Sequence, residues 1–273
     1  MFHLLIRRFC KRVFAIAFGI SFDVAESQRI AKEVFLAVDQ TIGGIKSDTP
    51  VAAWLQQLTV ARCLTWQRRW ARRFNWWGNS KARPKSAPAS SGPTRQWIQA
   101  ALRRLPNRSR AFFVLNVLEG LNENEIADIT GSGKQKVRHH LDHAYGMLSA
   151  MFHPFAQMDA RSDAPSCQFS GKKIYRYRTG GLSGPDKAQF ESHLEACPAC
   201  RNQLKCLSSI AGGLRDLVNI SMGRVDFTAL EKTVLYHARD QRLASRSLAR
   251  FSGLLRYAIV IAVIAVLLAL LVS

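Results

Sequence analysis

The feature that most constrains the fold of this chain is a group of three metal-ligand side chains within eight residues. The segment reads His193-Leu-Glu-Ala-Cys197-Pro-Ala-Cys200. His193 and Cys197 lie four residues apart, so on a helix they share one face, and the Cys-Pro-Ala-Cys turn lets two thiolates converge on one ion. The spacing therefore predicts a shared helix face and a tight turn around one metal position.

Zinc is the ion that this donor set favours. Cys167 lies upstream and can supply a fourth ligand, which completes a closed tetrahedral site with no position left for a substrate. The uneven spacing of the six cysteines argues against a disulfide framework and favours a reducing compartment. We predict a structural Zn²⁺, and the alternative is a set of buried cysteines without metal. The predicted ligands are Cys167, His193, Cys197 and Cys200.

The net charge of +20 is concentrated in one part of the chain. From Thr49 to Leu118 there is no Asp or Glu but there are thirteen Lys and Arg residues. Such a surface favours a polyanion, either nucleic acid or the anionic face of a membrane. Tryptophans interleave with these charges and favour stacking on unpaired bases, although Trp with Arg also suits a membrane interface. They are Trp66, Trp70, Trp76 and Trp77.

An unbroken run of sixteen apolar residues, Tyr257–Val272, predicts a transmembrane helix. Sixteen helical residues reach about 24 Å, and Leu254 and Leu255 can extend them towards the ~30 Å hydrocarbon core if Arg256 reaches the interface. The arginines upstream favour the cytoplasmic side. We expect a single-pass protein of the cytoplasmic membrane with its N-terminal bulk in the cytoplasm.

The first twenty residues admit two interpretations. Basic residues before the apolar stretch Val13–Phe22 resemble a signal peptide. Alternatively, apolar residues recur at helical spacing, which indicates the first helix of a packed bundle. That apolar set is Leu4, Leu5, Phe9, Val13, Ile16 and Ala17.

Helical periodicity continues along the chain without an alternating strand pattern, so we predict an all-α fold. Two small helical modules are separated by a basic, flexible linker rich in Ser, Ala and Pro. A helical zinc-binding domain, a juxtamembrane helical segment and the transmembrane helix follow. The predicted ranges are 1–77 and 95–152 for the modules, 78–94 for the linker, 160–220 for the zinc-binding domain, 221–256 for the juxtamembrane segment and 257–272 for the transmembrane helix.

The second module contains a helix-turn-helix pattern. Asn122 with Glu125 forms a capping box that opens a short helix, and Gly131 and Gly133 make the turn. The next helix, Lys134–Leu148, begins with polar side chains, as does a helix that enters the major groove. These side chains are Lys134, Gln135, Arg138 and His139.

Together the two modules resemble an extracytoplasmic-function sigma factor of bacterial RNA polymerase, over roughly residues 5–150. The motifs similar to region 2 are Glu33-Val-Phe-Leu, Trp54-Leu, Ala61-Arg62 and Arg68-Arg69. Those similar to region 4 are Ala101-Leu-Arg-Arg-Leu-Pro106, Phe113-Val-Leu, Leu118-Glu-Gly-Leu121, Glu125-Ile-Ala and Val137-Arg.

The resemblance implies roles for particular residues. The helix around Glu33 and Phe35 would dock on the polymerase. The implied DNA contacts are Arg62, Trp66, Arg68 and Arg69 at the melted −10 element and Lys134, Gln135, Arg138 and His139 at the −35 element. The chain departs from the family at Ser27-Gln28-Arg29, which replaces an acidic run, and at Asp142 with His143, which replace a more basic pair.

The zinc ligands, followed by Arg201, resemble the zinc-binding domain of anti-sigma factors, in which structural zinc holds helices that wrap a sigma factor. A three-four seam downstream predicts an inhibitory helix, or completes the core of the zinc-binding domain itself. Gly212 and Gly213 interrupt the seam and predict a bend. The seam comprises Leu204, Leu207, Ala211, Leu214 and Val218.

The resulting expectation is a membrane-tethered sigma factor, not an enzyme, that is inhibited by its own zinc-binding domain. Its partners would be core RNA polymerase, promoter DNA and the cytoplasmic membrane, with inhibition in cis or in trans. Oxidation of the zinc thiolates or proteolysis at the membrane would release it. The alternative, based on Ser27-Gln28-Arg29, is a degenerate sigma-like membrane-bound regulator that binds DNA or protein and no longer engages polymerase.

Overall fold

The computed structural model describes residues 2–42, 50–73, 94–158 and 171–244. Every regular element in this described part is helical, which confirms the all-α prediction. The helices are α1 Phe2–Ser21, α2 Val24–Thr41, α3 Val51–Arg73, α4 Arg95–Arg104, α5 Asn107–Leu118, α6 Glu123–Thr130, α7 Lys134–Met158, α8 Gly171–Arg178, α9 Gly184–Ala196, α10 Pro198–Met222 and α11 over 227–244.

The first helix packs as the bundle interpretation predicted. Phe14 and Ile20 are wholly buried in the core that α1 forms with α2 and α3. The chain reverses at Phe22, whose φ of 54° is left-handed, and the Asp23 side chain then caps α2. Leu4 was predicted to lie on the apolar face, and this prediction is corrected because Leu4 is 68% exposed.

The helix-turn-helix prediction is confirmed in detail. Asn122 and Glu125 form the capping box of α6, with the Asn122 N–H donating to the Glu125 carboxylate at 2.7 Å. Gly131 ends that helix with a φ of 62°, a conformation that favours glycine. Val137 and Leu141 are wholly buried, so α7 turns the opposite side outward.

The two modules share one continuous core, although a linker was predicted to separate them. α1 crosses α5 closely, because a Cβ atom added at Gly19 would lie 2.9 Å from the Val114 side chain. The Glu119 carboxylate, at the end of α5, accepts a hydrogen bond from Gln56 of α3 at 2.8 Å. Periodicity identifies buried faces but not the module that covers them. The predicted linker itself lies outside the described residues, apart from Thr94.

The helices from α8 to α11 lie against both modules. α8 and α10 pack on α7, and α10 also contacts α1, α4 and α5. α11 runs antiparallel to α1, because Phe227 meets the edge of Phe14 at 5.6 Å between ring centroids while Arg242 lies over the ring of Phe2. The inward residues of α11 are Leu230, Val234 and Ala238.

The predicted transmembrane run, Tyr257–Val272, lies outside the described residues. Within the ranges that the structure describes, no helix is both long and apolar enough to cross a membrane.

Candidate metal centre and nucleic-acid interface

The junction between α9 and α10 positions the metal ligands. Ser183 begins α9, and its hydroxyl accepts a hydrogen bond from the Asp186 N–H at 3.3 Å. Cys197 alone joins the two helices, with φ −111° and ψ 101°, and its N–H donates to the His193 carbonyl at 2.8 Å. The predicted turn over Cys197–Cys200 is thus formed by one linking residue and the first turn of α10.

The ligand atoms converge on one position. Those of His193, Cys197 and Cys200 all lie within 4.8 Å of one another, and the His193 Nε2 lies 3.3 Å from the Cys200 Sγ. Ligands of a tetrahedral zinc ion lie roughly 3.3 to 3.8 Å apart, given bonds of about 2.0 to 2.3 Å. Cys197 and Cys200 are buried. The donor set and its spacing therefore fit a structural zinc site, as predicted.

Neighbouring groups hold the site in place. The Arg201 guanidinium donates from one nitrogen to the carbonyls of Leu194 and Glu195, both at 2.6 Å, and so caps the end of α9. Cys200 lies in the first turn of α10, where the helix dipole favours a thiolate. Cys167 lies outside the described residues, so its role as the fourth ligand stays a prediction.

The zinc-binding region contacts α7 through α8. The Arg176 guanidinium donates to the Asp142 carboxylate at 2.8 Å, and the rings of Tyr145 and Tyr175 stack with centroids 4.3 Å apart. Burial raises the pKa of Tyr145 to about 12, so its hydroxyl stays protonated and donates to Asn116 at 2.8 Å. Asp142, where the family resemblance implies a more basic residue, is buried towards α8.

α10 reaches further along the same modules. Gln203 donates to the Ser149 hydroxyl of α7, and Arg215 donates to a carbonyl of α5 at 2.8 Å. α10 continues as one helix through its glycine pair, so the glycines do not interrupt it, and the predicted bend stays a prediction. Gly213 instead allows close approach to α4, since a Cβ there would lie 2.3 Å from the Ile98 Cδ1. The predicted seam is buried at Leu207, Ala211, Leu214 and Val218.

The outward side of α7 is left open by these contacts. All four side chains predicted to read the −35 element are exposed. Arg138 is held in place by the Glu123 carboxylate of α6, at 2.9 Å from its Nε. The helix therefore presents a polar, basic surface on one side and packs against the zinc-binding region on the other. The exposed residues are Lys134, Gln135, Arg138 and His139.

The other predicted nucleic-acid contacts lie along α3. Arg62 is exposed and Trp66 is half-buried, so both reach the surface of this helix. The side chains of Arg68 and Arg69 lie outside the described residues, as do those of the other three tryptophans predicted to stack on bases. The α3 interface is thus described only at its first two members.

The predicted polymerase contacts on α2 differ in exposure. Glu33 is half-exposed and pairs with Arg29, which also contacts Glu26 at 2.8 Å. Phe35 has no exposed surface. In this conformation Phe35 is thus a core side chain, a correction to its place on a docking surface. Periodicity places Phe35 on α2 but does not reveal that other helices cover it.

Two protein-family models match this chain, one over the helix-turn-helix module and one over the zinc-binding region. Residues 95–148, which span α4 to most of α7, match the family model described as "Sigma-70, region 4". Residues 167–201 match a second family model, described as "Putative zinc-finger". The chain thus combines a region 4-like segment with a zinc-finger-like segment.

One relative aligns across much of the chain. It is "Probable RNA polymerase sigma factor RfaY" of Xanthomonas campestris pv. campestris, which is 29% identical over 167 residues. The alignment covers 58% of this chain and 42% of the relative. The chain therefore spans less than half the length of this sigma factor.

Sequence reasoning missed the contacts between the zinc-finger segment and the region 4 segment. Arg176 and Gln203 lie among many polar residues, and local spacing does not indicate their partners on α7. α11 did carry a signal, because its inward residues recur at i, i+4 and i+8, as in a packed helix. That spacing could have identified it as part of the bundle. These three residues are Leu230, Val234 and Ala238.

Proposed function

We propose that the chain is a sigma factor that directs bacterial RNA polymerase to promoters and is inhibited by its own zinc-finger segment. The region 4 match, the zinc-finger match and the likeness to a sigma factor support this proposal. The role is one of binding and positioning, not catalysis. Its partners are core RNA polymerase and promoter DNA.

The observation that carries the proposal is that both modules lie under helices of the same chain. α8 and α10 contact α7, while α11 contacts α1 and α2. A covalent connection raises the effective concentration of such an inhibitor to about the millimolar range. Contacts of modest strength therefore suffice to keep the modules in this arrangement, which is inhibition in cis.

The proposed DNA contacts use chemistry suited to each element. Lys134, Gln135, Arg138 and His139 can donate to base edges and phosphates of the −35 duplex from a helix in the major groove. Arg62, Trp66, Arg68 and Arg69 combine charge with an aromatic face, which suits the melted −10 strand. The outward face of α7 is exposed here, so inhibition does not depend on covering that face. It acts instead by covering the region 2-like surface and by preventing the two modules from moving apart.

Polymerase docking is proposed to use α2 after α11 moves away. Glu33 supplies a charged contact, and Phe35 supports α2 from within the core. A second candidate function follows from the ion pair between Arg29 and Glu33, since this pair shields the carboxylate. It is a degenerate regulator that binds DNA or protein without engaging polymerase.

We further propose that residues 257–272 anchor the chain in the cytoplasmic membrane as a single span, with the modules in the cytoplasm. The apolar run and the arginines upstream of it support this placement. Two inputs could release the modules. Oxidation would leave peroxide-treated protein with less bound zinc, and proteolysis would leave a shorter chain under inducing conditions.

The proposal is tested with one protein in two states. A protease site is introduced after Met158 in the full, zinc-loaded chain, and run-off transcription is measured with core polymerase before and after cleavage, on the chain's own upstream DNA. We expect transcription only after cleavage and dilution. A chain that binds core polymerase in neither state would establish the degenerate regulator. Equal transcription in both states would show a sigma factor without inhibition in cis.

A further inference from the structure

One end of the bundle exposes large apolar side chains. Because α11 runs antiparallel to α1, the last described residues of α11 lie beside the first residues of α1. Leu4 of α1 is 68% exposed, and Tyr236 and Leu243 of α11 are 70% and 55% exposed. Among the residues that the structure describes, only Ile220 is another exposed large hydrophobic side chain. The apolar exposure is therefore concentrated on two adjacent helices.

A cleft between these helices brings charge to the same place. It has a volume of about 510 Å³, and Phe2, Arg239 and Leu243 contribute to its lining. Tyr236, Arg239 and Leu243 recur at i, i+3 and i+7, so they share one stripe of α11. An arginine between an aromatic and a leucine side chain is the composition that proteins use at the boundary between water and lipid.

The carboxylates at this end do not neutralise the surface. Asp39 is nearly buried and accepts a hydrogen bond from the Arg242 Nε at 2.8 Å. Glu231 pairs with Arg7 at 3.1 Å and is also mostly covered. Arg239 remains exposed, as does Arg8, whereas Asp240 is the exposed acidic residue nearby. The outer surface is therefore basic as well as apolar, which favours an anionic partner with an apolar interior.

We propose that this surface, defined by Leu4, Tyr236, Arg239 and Leu243, binds a bilayer surface that contains anionic phospholipid. DNA satisfies the charge but offers nothing to the exposed leucines. The position of the surface along the chain agrees with a membrane partner. Twelve residues separate residue 244 from the apolar run at 257, and twelve residues span at most about 40 Å. This orientation rests on the membrane anchor proposed above. Binding of the bilayer to this surface would hold α11 against the membrane while α11 stays packed on α1 and α2.

The test uses the full, zinc-loaded chain with a photo-crosslinking amino acid in place of Tyr236. The matched control carries the same amino acid in place of Ile220. Both proteins are floated with vesicles of phosphatidylcholine alone or with one-third phosphatidylglycerol, and lipid adducts are quantified by mass spectrometry. Two charge variants, Arg239→Gln and Lys187→Gln, each remove one positive charge, and Lys187 is exposed on α9, away from this surface.

We expect adducts at position 236 to be roughly fivefold more abundant with the anionic vesicles, because one arginine near an anionic surface contributes about that factor. Arg239→Gln should remove most of this difference, whereas Lys187→Gln and position 220 should not respond. Equal adducts in both vesicles, or none, would overturn the proposal. Competition by millimolar inorganic phosphate would also overturn it, since the site would then bind free phosphate and not a bilayer.

The experiment distinguishes failure of the proposed membrane anchor from failure of the proposed lipid-binding surface. Flotation with neutral vesicles reports the apolar run, because this lipid carries no net charge. A chain that floats only with anionic vesicles, and loses this with Arg239→Gln, would contradict the anchor and support the lipid surface. A chain that floats with both but shows no charge-dependent adducts would support the anchor and contradict the lipid surface.

Discussion

The zinc-finger segment and α11 contact the two modules by different physical means. α9 buries only Phe190 along its thirteen residues, so its arrangement with α10 depends on the ligands His193, Cys197 and Cys200. α11 is a regular helix that buries Leu230 and forms ion pairs at both ends. The difference indicates that α9 is held in place by the metal ligands, whereas α11 is held by ordinary helix packing and ion pairs.

The two kinds of contact should respond to different releasing inputs. An input that removes the metal should loosen α9 and the first turn of α10 and leave α11 on α1 and α2. An input that pulls on the chain beyond residue 244 should act first on α11. Metal loss and a pull on α11 are thus expected to open different helices, and variants that affect α9 should leave α11 in place.

Loss of the metal should produce the largest effect. Cys200→Ser removes a buried ligand, and we expect bound zinc to be lost and the zinc-finger segment to be destabilised by on the order of 4 kcal/mol or more. Hydrogen exchange should become faster in α9 and the first turn of α10 and stay slow in α11. Zinc content and peptide-level exchange are the measurements.

The control for this variant is Cys206→Ser. Cys206 lies six residues after Cys200 and is partly exposed, outside the group of converging ligand atoms. It should keep zinc and normal exchange. If Cys200→Ser retains zinc, the metal does not depend on Cys200. If α11 opens together with α9, the two contact surfaces are not independent.

The opposite variant should release α11 alone. Leu230 is 8% exposed, and Leu230→Ala removes most of its apolar contact with α1 and α2, at a cost of about 2 to 5 kcal/mol. We expect faster exchange in residues 227–244 with zinc content unchanged. Leu243→Ala is the matched control in the absence of lipid, because that side chain is 55% exposed. Similar exchange in the two variants would show that α11 is not held by its apolar face.

A smaller effect is expected where α8 meets α7. A hydrogen bond from Arg176 to Asp142 raises the pKa of the arginine, but its side chain is 43% exposed, so solvent screens the pair. A double-mutant cycle of Asp142→Asn and Arg176→Gln should give a coupling energy of about 0.5 to 1 kcal/mol from denaturant unfolding. Additive effects would show that stacking of Tyr145 on Tyr175 holds α8 without this ion pair.

Local patterns were sufficient to predict the elements and the metal site. The capping box at Asn122, the turn at Gly131 and the spacing of His193 with the two cysteines each depend on residues within eight positions of one another. Side-chain chemistry at short range determines these features, and the structure contains them as expected.

Contacts between distant parts of the chain could not be predicted in this way. Arg242 pairs with Asp39 across 203 positions, and Arg176 pairs with Asp142 across 34. Periodicity showed that Phe35 lies on a helix, but not that neighbouring helices bury it. Leu4 fits the same apolar spacing as its neighbours and is nevertheless exposed, because no helix in the described part of the chain covers that part of α1.

The smallest predicted effect concerns pH at the region 4 module. Burial lowers the pKa of His140 below its ordinary value of 6.5, with charges on His139 and Arg108 acting in the same direction. The Ser109 hydroxyl lies 3.1 Å from its Nδ1. The unfolded chain therefore binds more protons at this position, and the stability that neutral His140 contributes is complete above pH 6.5 and lost as the pH falls through the folded pKa.

We accordingly expect the denaturant midpoint of the full chain to fall between about pH 7 and pH 5, and to fall less in His140→Gln. His139→Gln, which changes an exposed neighbour, should retain most of the fall. Because metal binding is itself pH-dependent, the comparison is made between variants at the same zinc content. An equal fall in all three proteins would show that protonation of His140 does not cause the pH dependence.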